Sequence, residues 1–279
     1  MRFIDLHIHT RASDGTLSPE DTVAYAARRS LAAIAITDHD TAHGALAAME
    51  YAEKYGVEVV PGIEISAAYG DYGIHILGYF IDPASPSLLR VLDWINADRD
   101  RRNSEIIALM RSDGLCVTRE GLRAHFPETD AIGRPHFAAC LMEHGLVSSI
   151  KEGFDRYLNR GCRYYRARRF LPLKEAFAAI SGAGGKAVFA HPLQYRMTVG
   201  ALTELTRRLT DCGAVGMECL YSGYTADETA YLESLAHRFG LCVTGGSDFH
   251  GARKPDIDMG TGTGNLRVPY ELLEALKAR

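Results

Sequence analysis

The segment that decides the fold is Phe3-Ile4-Asp5-Leu6-His7-Ile8-His9-Thr10. Its apolar residues predict a buried strand, and alternate residues of a strand project to the same face. His7 and His9 therefore point the same way, about 6–7 Å apart, which suits two ligands of one metal ion. A pair of hydrogen-bonded core or capping histidines gives the same pattern. The deciding observation is whether the later strands also end in metal-binding residue types.

The segments that follow alternate between helices and short apolar strands. Ser18-Pro19-Glu20-Asp21 is typical of a helix start, with a serine N-cap and proline at the first helical position. This alternation predicts parallel strands joined by crossover helices, and about seven strands favour a (β/α) barrel over an open sheet. After the first strand, the predicted strands are 32–36, 57–65, 72–79, 186–190, 214–219 and 241–245.

Between 86 and 165 the pattern is helical throughout. We interpret this region as a small helical domain inserted into the barrel, which then comprises 1–85 and 166–279. Because the barrel itself is generic, we expect the insertion to contribute contacts to a substrate phosphate. The predicted helices of the insertion are 86–112, 118–126, 134–145 and 148–158.

Composition narrows the class of protein. The 279 residues are long enough for a substantial core, and the net charge of −4 neither favours nor excludes a nucleic-acid partner. Six cysteines without C-x-x-C spacing predict reduced thiols. We see no secretory signal and no apolar run of membrane-spanning length, so we expect a cytoplasmic protein without a membrane partner. No obligate protein partner is indicated.

Metal-binding residue types recur where the predicted strands end. Any one of them has an ordinary alternative, since His75 fits a hydrogen-bonded core histidine and Asp38 or Asp40 fits a helix cap. Coincidence at every strand end is not a competitive explanation. Imidazoles and carboxylates without cysteine favour a catalytic site for divalent ions, and their number implies two or three ions. The residues are His7 and His9, Asp14, Asp38-His39-Asp40, Glu64, His75, His191 and Asp248-Phe249-His250.

These motifs resemble those of the PHP family (polymerase and histidinol phosphatase). The resemblance covers the chain outside the insertion and implies a distorted (β/α)7 barrel with a trinuclear metal centre that hydrolyses phosphoesters. The strings that carry it are DLHIHT from residue 5, SDGTLSPED from 13, ITDHDT from 36, PGIEIS from 61, AHP from 190 and GGSDFH from 245.

The resemblance also implies how the ligands divide. One ion would be held by His7, His9, Glu64 and Asp248, a second by Glu64, His75 and His191, and a third by Asp14, His39 and His250. Many family members carry histidine where this chain has Asp14. An oxygen ligand there shifts preference from Zn²⁺ toward Mn²⁺ or Mg²⁺.

We therefore expect two or three divalent ions, foremost Mn²⁺, with Zn²⁺, Fe²⁺ and Mg²⁺ as alternatives. The catalytic residues would be Glu64, as a carboxylate bridging two ions, and Asp248 beside it. His191, His250 and a metal-bound water are all candidates for protonating the leaving oxygen, and the sequence does not choose among them.

Substrate contacts are predicted in the insertion. Six arginines and no acid lie between 156 and 169, with tyrosines among them. Arginine suits phosphate and tyrosine can stack on a base, although a solvated basic face gives the same pattern. Gly133-Arg134-Pro135-His136 opens a helix whose N-terminus attracts phosphate. The predicted substrate-binding residues are Arg134, His136, Arg160 and Tyr164.

The strings SDG and GRPHFA resemble one PHP subfamily in particular. It contains 3′,5′-nucleoside bisphosphate phosphatases and 5′-3′ exoribonucleases, which both cut between the 3′-oxygen and phosphorus of a 5′-phosphorylated nucleotide. We expect removal of the 3′-phosphate from a small nucleotide bisphosphate, with exonuclease action on short 5′-phosphorylated RNA as the alternative. A phosphatase of another small phosphate ester, such as histidinol phosphate, and a non-catalytic nucleic-acid-binding module are further alternatives.

Overall fold

A curved sheet forms the centre of the molecule, for which we analysed a computed structural model that describes residues 2–70 and 72–279. In these ranges the sheet has nine strands, in the spatial order β8-β7-β6-β4-β3-β2-β1-β9, with β5 paired to β3. The strands are β1 (Phe3–Ile8), β2 (Ala33–Ile36), β3 (Glu58–Tyr69), β4 (Tyr72–Tyr79), β5 (Leu171–Pro172), β6 (Lys186–Phe189), β7 (Gly216–Tyr221), β8 (Cys242–Gly246) and β9 (Val268–Pro269).

Eleven α-helices within the described ranges surround or extend this sheet. The first begins as predicted, with the Ser18 side chain accepting a hydrogen bond from the Asp21 N–H and Pro19 as its first residue. The helices are α1 (Pro19–Arg28), α2 (His43–Met49), α3 (Ala52–Tyr55), α4 (Pro86–Ser112), α5 (Arg119–His125), α6 (Arg134–Glu143), α7 (Ile150–Gly153), α8 (Leu173–Gly182), α9 (Val199–Asp211), α10 (Ala226–Arg238) and α11 (Tyr270–Lys277).

Strand direction departs from the prediction at one place. β1, β2 and β3 are parallel, as are β6, β7 and β8, but β4 runs antiparallel to both β3 and β6. The prediction of parallel strands throughout is therefore wrong for β4. Because β4 returns directly alongside β3, His75 is opposite Ser66, two residues beyond Glu64. His75, in the middle of β4, thus lies between the part of β3 that carries Glu64 and the end of β6.

The sheet closes where the chain beyond β8 meets the end of β1. The Phe249 N–H donates to the His7 carbonyl at 3.3 Å, and the His9 N–H donates to the Phe249 carbonyl at 2.9 Å. We call this contact the seam. The predicted α/β class with a distorted barrel is confirmed, because within the described ranges the sheet is barrel-shaped and nearly closed, with β9 as an eighth strand beside β1.

The helices α4 to α7 have a hydrophobic core of their own. Ile106 and Met110 of α4 pack there with Phe137 of α6. The first half of α4 behaves differently, because Leu88 and Leu92 are buried in the core that covers β3, β4 and β6. One long helix therefore anchors the insertion to the barrel. No helix in the described ranges combines the length and apolarity needed to cross a membrane.

Candidate metal centre and arginine-lined cavity

The predicted metal ligands converge at the carboxyl edge of the barrel strands. Four groups of His, Asp and Glu side chains have ligand atoms within 4.8 Å of one another in the described residues. The groups overlap, so they form one continuous cluster. They are His9 with Asp14, His39 and His250; His7 with His9 and Asp248; His7 with Glu64 and His191; and His39 with Glu64 and His75.

Glu64 occupies the middle of this cluster, and its side chain is buried. Its Oε1 lies 2.8 Å from both His75 Nδ1 and His191 Nε2. Its Oε2 lies 2.8 Å from His39 Nδ1, 3.3 Å from His9 Nε2 and 3.4 Å from His7 Nε2. The two oxygens of one carboxylate thus face different histidines, as the oxygens of a carboxylate that bridged two ions would.

Asp14 lies among three histidines in a second part of the cluster. Asp14 Oδ1 is 3.2 Å from His250 Nε2 and 3.7 Å from His9 Nδ1, and its Oδ2 is 3.9 Å from His39 Nε2. Asp248 lies between the two parts, since its Oδ1 is 3.3 Å from His9 Nε2 and 3.4 Å from His250 Nδ1.

The cluster has the properties of a metal site rather than of a hydrogen-bonded core. Buried polar atoms are almost always paired, because leaving one unpaired costs about 1–3 kcal/mol. Here several buried ring nitrogens and one carboxylate oxygen have no hydrogen-bond partner within the described residues. Nitrogen and oxygen donors of this kind fit divalent ions of borderline hardness. The unpaired atoms are His7 Nε2, His9 Nδ1 and Nε2, His39 Nδ1, His75 Nδ1, His191 Nδ1 and Glu64 Oε2.

The backbone is strained at two of these ligands. His191 and Asp248 have φ angles of 29° and 57°, in the left-handed region that non-glycine residues seldom adopt. Each follows a barrel strand, where the chain turns sharply and directs the side chain across the open edge. Such strain persists where the surrounding structure enforces it, and it concentrates at functional sites.

A cavity of about 570 Å³ opens on the cluster and continues between the barrel and the insertion. At one end it is lined by Asp14, His39, His75 and His250. The rest of its wall is strongly basic, and its cationic residues are Arg99, Arg102, Arg134, Arg160, Arg166, Arg168, Arg253 and Lys254.

The arginines at the cavity floor exceed the acids that could neutralise them. Asp40 contacts Arg99 and accepts a hydrogen bond from Arg168 at 3.0 Å. Burial raises the pKa of Asp40, but Arg168 and Arg99 outweigh it and hold that pKa well below its ordinary value. Arg102 is only 4% exposed, and its Nε and Nη2 have no partner among the described residues. Burial, then Arg99 and Arg168, lower its pKa well below the usual range. A buried excess of positive charge of this kind favours binding of an anion.

Comparison with known proteins identifies the family of this chain. The family model of the PHP domain matches residues 5–127. A 3′,5′-nucleoside bisphosphate phosphatase from Chromobacterium violaceum is 34% identical over 260 residues, which cover 93% of this chain and 91% of that relative. The chain belongs to the PHP family.

Two further PHP relatives extend the comparison. A 5′-3′ exoribonuclease from Haemophilus influenzae is 35% identical over 246 residues, covering 88% of this chain and 89% of the relative. A solved structure from Bifidobacterium adolescentis, described as a metal-dependent phosphoesterase, superposes with a TM-score of 0.88 at 29% identity, covering 99% of this chain and 96% of that one. The fold of the whole chain is therefore that of the family.

Two of the four predicted substrate contacts lie elsewhere than expected. Arg134 and Arg160 line the cavity. His136 is buried behind its wall, where Nδ1 accepts a hydrogen bond from the Gly133 N–H and Nε2 lies 3.2 Å from Arg253. Tyr164 packs in the core of the insertion, with its ring 5.6 Å from that of Tyr157. The assignments of His136 and Tyr164 as substrate contacts are corrected accordingly.

The arginine-rich segment divides into two sets. Arg156, Arg163 and Arg169 form ion pairs with acids of the insertion, namely Glu152, Asp113 and Asp98. Arg160, Arg166 and Arg168 line the cavity. The interpretation as a solvated basic face therefore holds for half of the segment, and the other half contributes to the basic wall of the cavity.

Glu218 of β7 is a buried residue of the site that the sequence did not reveal. Its Oε1 is 2.9 Å from His7 Nδ1, and its Oε2 accepts a hydrogen bond from the His191 N–H at 2.8 Å. A neutral His7 that donates an Nδ1–H hydrogen bond to Glu218 would have the lone pair of Nε2 facing the cluster. The sequence did contain one signal for this residue, because Glu218 is an acid near the end of the predicted strand 214–219.

We expect Glu218→Gln to weaken metal binding about 10–100-fold while the fold is retained, because His7 loses the anion that fixes its tautomer. Isothermal titration of metal-free protein with Mn²⁺ measures the change. Glu204→Gln, in a surface ion pair of α9, is the matched control. Equal Mn²⁺ affinity in both variants would contradict this role of Glu218.

Proposed function

We propose that the protein is a metal-dependent phosphatase that removes the 3′-phosphate from 3′,5′-nucleoside bisphosphates. That it hydrolyses phosphate esters follows from its membership of the PHP family. The more specific proposal is carried by one observation: a single cavity joins the metal-ligand cluster to a second, arginine-lined region. A substrate with two phosphates could place one phosphate at the cluster and the other in the arginine-lined region.

The size and charge of the cavity support a small nucleotide. A volume of about 570 Å³ is in the range of pockets that enclose a small organic ligand. Arg102 and Arg168 have unpaired donors on the insertion side, where a 5′-phosphate would lie. Arg134 and Arg160 line the same wall, and Tyr165 offers an aromatic face for the base. The 3′-phosphate would then face Asp14, His39 and His250.

We propose two or three divalent ions, with Mn²⁺ favoured by the carboxylate of Asp14. Bound there, they would supply an activated water and neutralise the charge that grows on the phosphoryl group. Glu64 would hold two ions through its separate oxygens, with His7, His9 and Asp248 on one side and His75 and His191 on the other. Asp14, His39 and His250 would hold the third.

Other side chains around the phosphate would orient a carboxylate, protonate the leaving group and position the nucleotide. Lys254 lines the cavity with its Nζ 2.6 Å from Asp248 Oδ2, so it fixes the orientation of that carboxylate. His191, His250 and a metal-bound water are the candidates for protonating the leaving 3′-oxygen. The arginines would position the nucleotide so that only its 3′ end reaches the cluster.

A second candidate is 5′-3′ exoribonuclease activity on short 5′-phosphorylated RNA. It is supported by the Haemophilus influenzae relative, which is named for that activity. The same 5′-phosphate pocket and the same scissile bond would serve it. A histidinol phosphate phosphatase has no use for the arginine-lined region. A non-catalytic nucleic-acid-binding module is disfavoured by the assembled ligand cluster, and a cytoplasmic location stays a prediction from the sequence.

The test is a phosphate-release assay with Mn²⁺ over 3′,5′-bisphosphates, 3′- and 5′-monophosphates, histidinol phosphate and 5′-phosphorylated dinucleotides. We expect the highest kcat/KM with a 3′,5′-bisphosphate, and complete loss of activity in a chelator that Mn²⁺ restores. Faster release of a nucleoside 5′-phosphate from the dinucleotides would favour the exoribonuclease. Equal rates with 3′-monophosphates would refute a role for the 5′-phosphate.

A further inference from the structure

The loop before α6 connects the insertion to the first barrel loop. Thr129 Oγ1 donates a hydrogen bond to the Arg11 carbonyl at 2.8 Å, and the Asp130 N–H donates to the Ala12 carbonyl at 3.0 Å. Ala12 is two residues before Asp14. The insertion therefore holds the segment that carries the aspartate of the metal-ligand cluster.

The side chain of Asp130 contacts a second barrel loop. Its Oδ2 accepts a hydrogen bond from Thr41 Oγ1 at 2.9 Å and lies 2.8 Å from His43 Nδ1. Thr41 is two residues beyond His39. One residue of the insertion thus connects the loop after β1 to the loop after β2, through its main chain on one side and its carboxylate on the other.

Asp14 and His39 belong to the same ligand group, with His9 and His250. Asp14 makes the longest contacts in this group, at 3.9 Å to His39, 3.7 Å to His9 and 3.2 Å to His250, whereas His39 Nδ1 lies 2.8 Å from Glu64 Oε2. Asp14 also lies on a loop, whereas Glu64 is inside a strand and the backbone of His39 forms an isolated β-bridge with it. The position of the loop that carries Asp14 therefore decides how well this group can hold an ion.

We propose that Asp130 is a positioning residue that sets the affinity of the ion held by Asp14, His39 and His250. This inference rests on the metal centre of the proposed function. Asp130 does not line the cavity and is not a member of the cluster. It acts from the outer side of the two ligand-bearing loops, which the buried Asp38 joins on the inner side by accepting hydrogen bonds from Thr10 and Ser13. A residue of the substrate-binding insertion thereby controls the composition of the barrel's metal centre.

The expected effect is selective and moderate. The side chain of Asp130 is 37% exposed and that of His43 is 68% exposed, so the contact is partly screened by water. Outer partners of metal ligands typically change metal affinity 10–100-fold. We expect Asp130→Ala to weaken the last ion to bind by about tenfold. The ions at Glu64 should change much less, because the contact between His39 and Glu64 does not depend on Asp130.

The experiment titrates metal-free protein with Mn²⁺ and measures free Mn²⁺ by electron paramagnetic resonance. Wild type and Asp130→Ala are compared, together with Asp130→Asn, which keeps an acceptor oxygen and should restore most of the affinity. Asp155→Ala is the matched control, because Asp155 is an exposed acid of the same insertion that pairs only with Lys151 among the described residues. Circular dichroism verifies that each variant is folded.

Selective weakening of the last ion in Asp130→Ala, with recovery in Asp130→Asn, supports the inference. An unchanged titration overturns it, and so does equal weakening of all ions, which would indicate a general structural role. These outcomes are distinct from failure of the proposed function. That failure would be seen in the wild type, as absence of Mn²⁺ uptake or of phosphate release.

Discussion

Glu64→Ala is expected to lower phosphate release by about 10³-fold or more, because metal ions contribute several kcal/mol to such reactions and 1.36 kcal/mol is tenfold in rate. Both oxygens of Glu64 face histidines across the cluster, so the substitution removes a ligand from two proposed ions together. The Mn²⁺ content, measured by inductively coupled plasma mass spectrometry, should therefore fall in parallel with turnover.

The matched control is Glu58→Ala. Glu58 begins the same strand, but at the opposite end, where it accepts a hydrogen bond from Tyr270 and pairs with Lys277. We expect this variant to lose some stability and to keep its metal content and kcat. A Glu64→Ala protein with full Mn²⁺ content and wild-type turnover would show that the bridging assignment is wrong.

Arg102→Met is expected to raise the KM for 3′,5′-bisphosphates about 30-fold or more, with a much smaller change in kcat. Truncating one partner of a buried, hydrogen-bonded charge pair costs about 2–5 kcal/mol, and 1.4 kcal/mol is tenfold in affinity. The same substitution should raise the melting temperature of the ligand-free protein, since it replaces a buried guanidinium that lacks partners for Nε and Nη2 in the described structure.

A 3′-monophosphate is the discriminating substrate, because it has no 5′-phosphate for Arg102 to bind. Its kcat/KM should change little in Arg102→Met. Arg163→Met is the control variant, as Arg163 is exposed and paired with Asp113 outside the cavity. If the mono- and bisphosphate lost activity equally, Arg102 would not belong to a 5′-phosphate site.

The barrel and its ligands were predictable because their signals are local. A short apolar run that ends in histidine or a carboxylate can be recognised without knowing what packs against it, as with His9 and Glu64. The direction of β4 was also encoded, since parallel strands need a crossover of a dozen or more residues. The predicted strands at 57–65 and 72–79 are too close in sequence for one.

The environment of other residues is set by tertiary packing and could not be predicted from the sequence. Arg99 and Arg102 belong to a charged stretch of α4 that has the composition of a solvated helix, yet the fold buries both. Tyr164 shows the reverse, because its basic surroundings suggested an open binding surface while its ring packs in a core. Helical periodicity predicts which residues share a face, but not whether that face meets solvent, a core or a ligand.

The proposed ions would be bound across the seam, so they would contribute to folding stability as well as to catalysis. His7 and His9 lie on one side of it, and Asp248 and His250 on the other. An ion shared by these residues would cross-link β1 to the chain that follows β8. By mass action, free metal at 100 times its dissociation constant stabilises the folded state by about 2.7 kcal/mol. Metal supply would then govern how long the enzyme persists in the cell, independently of how fast it works.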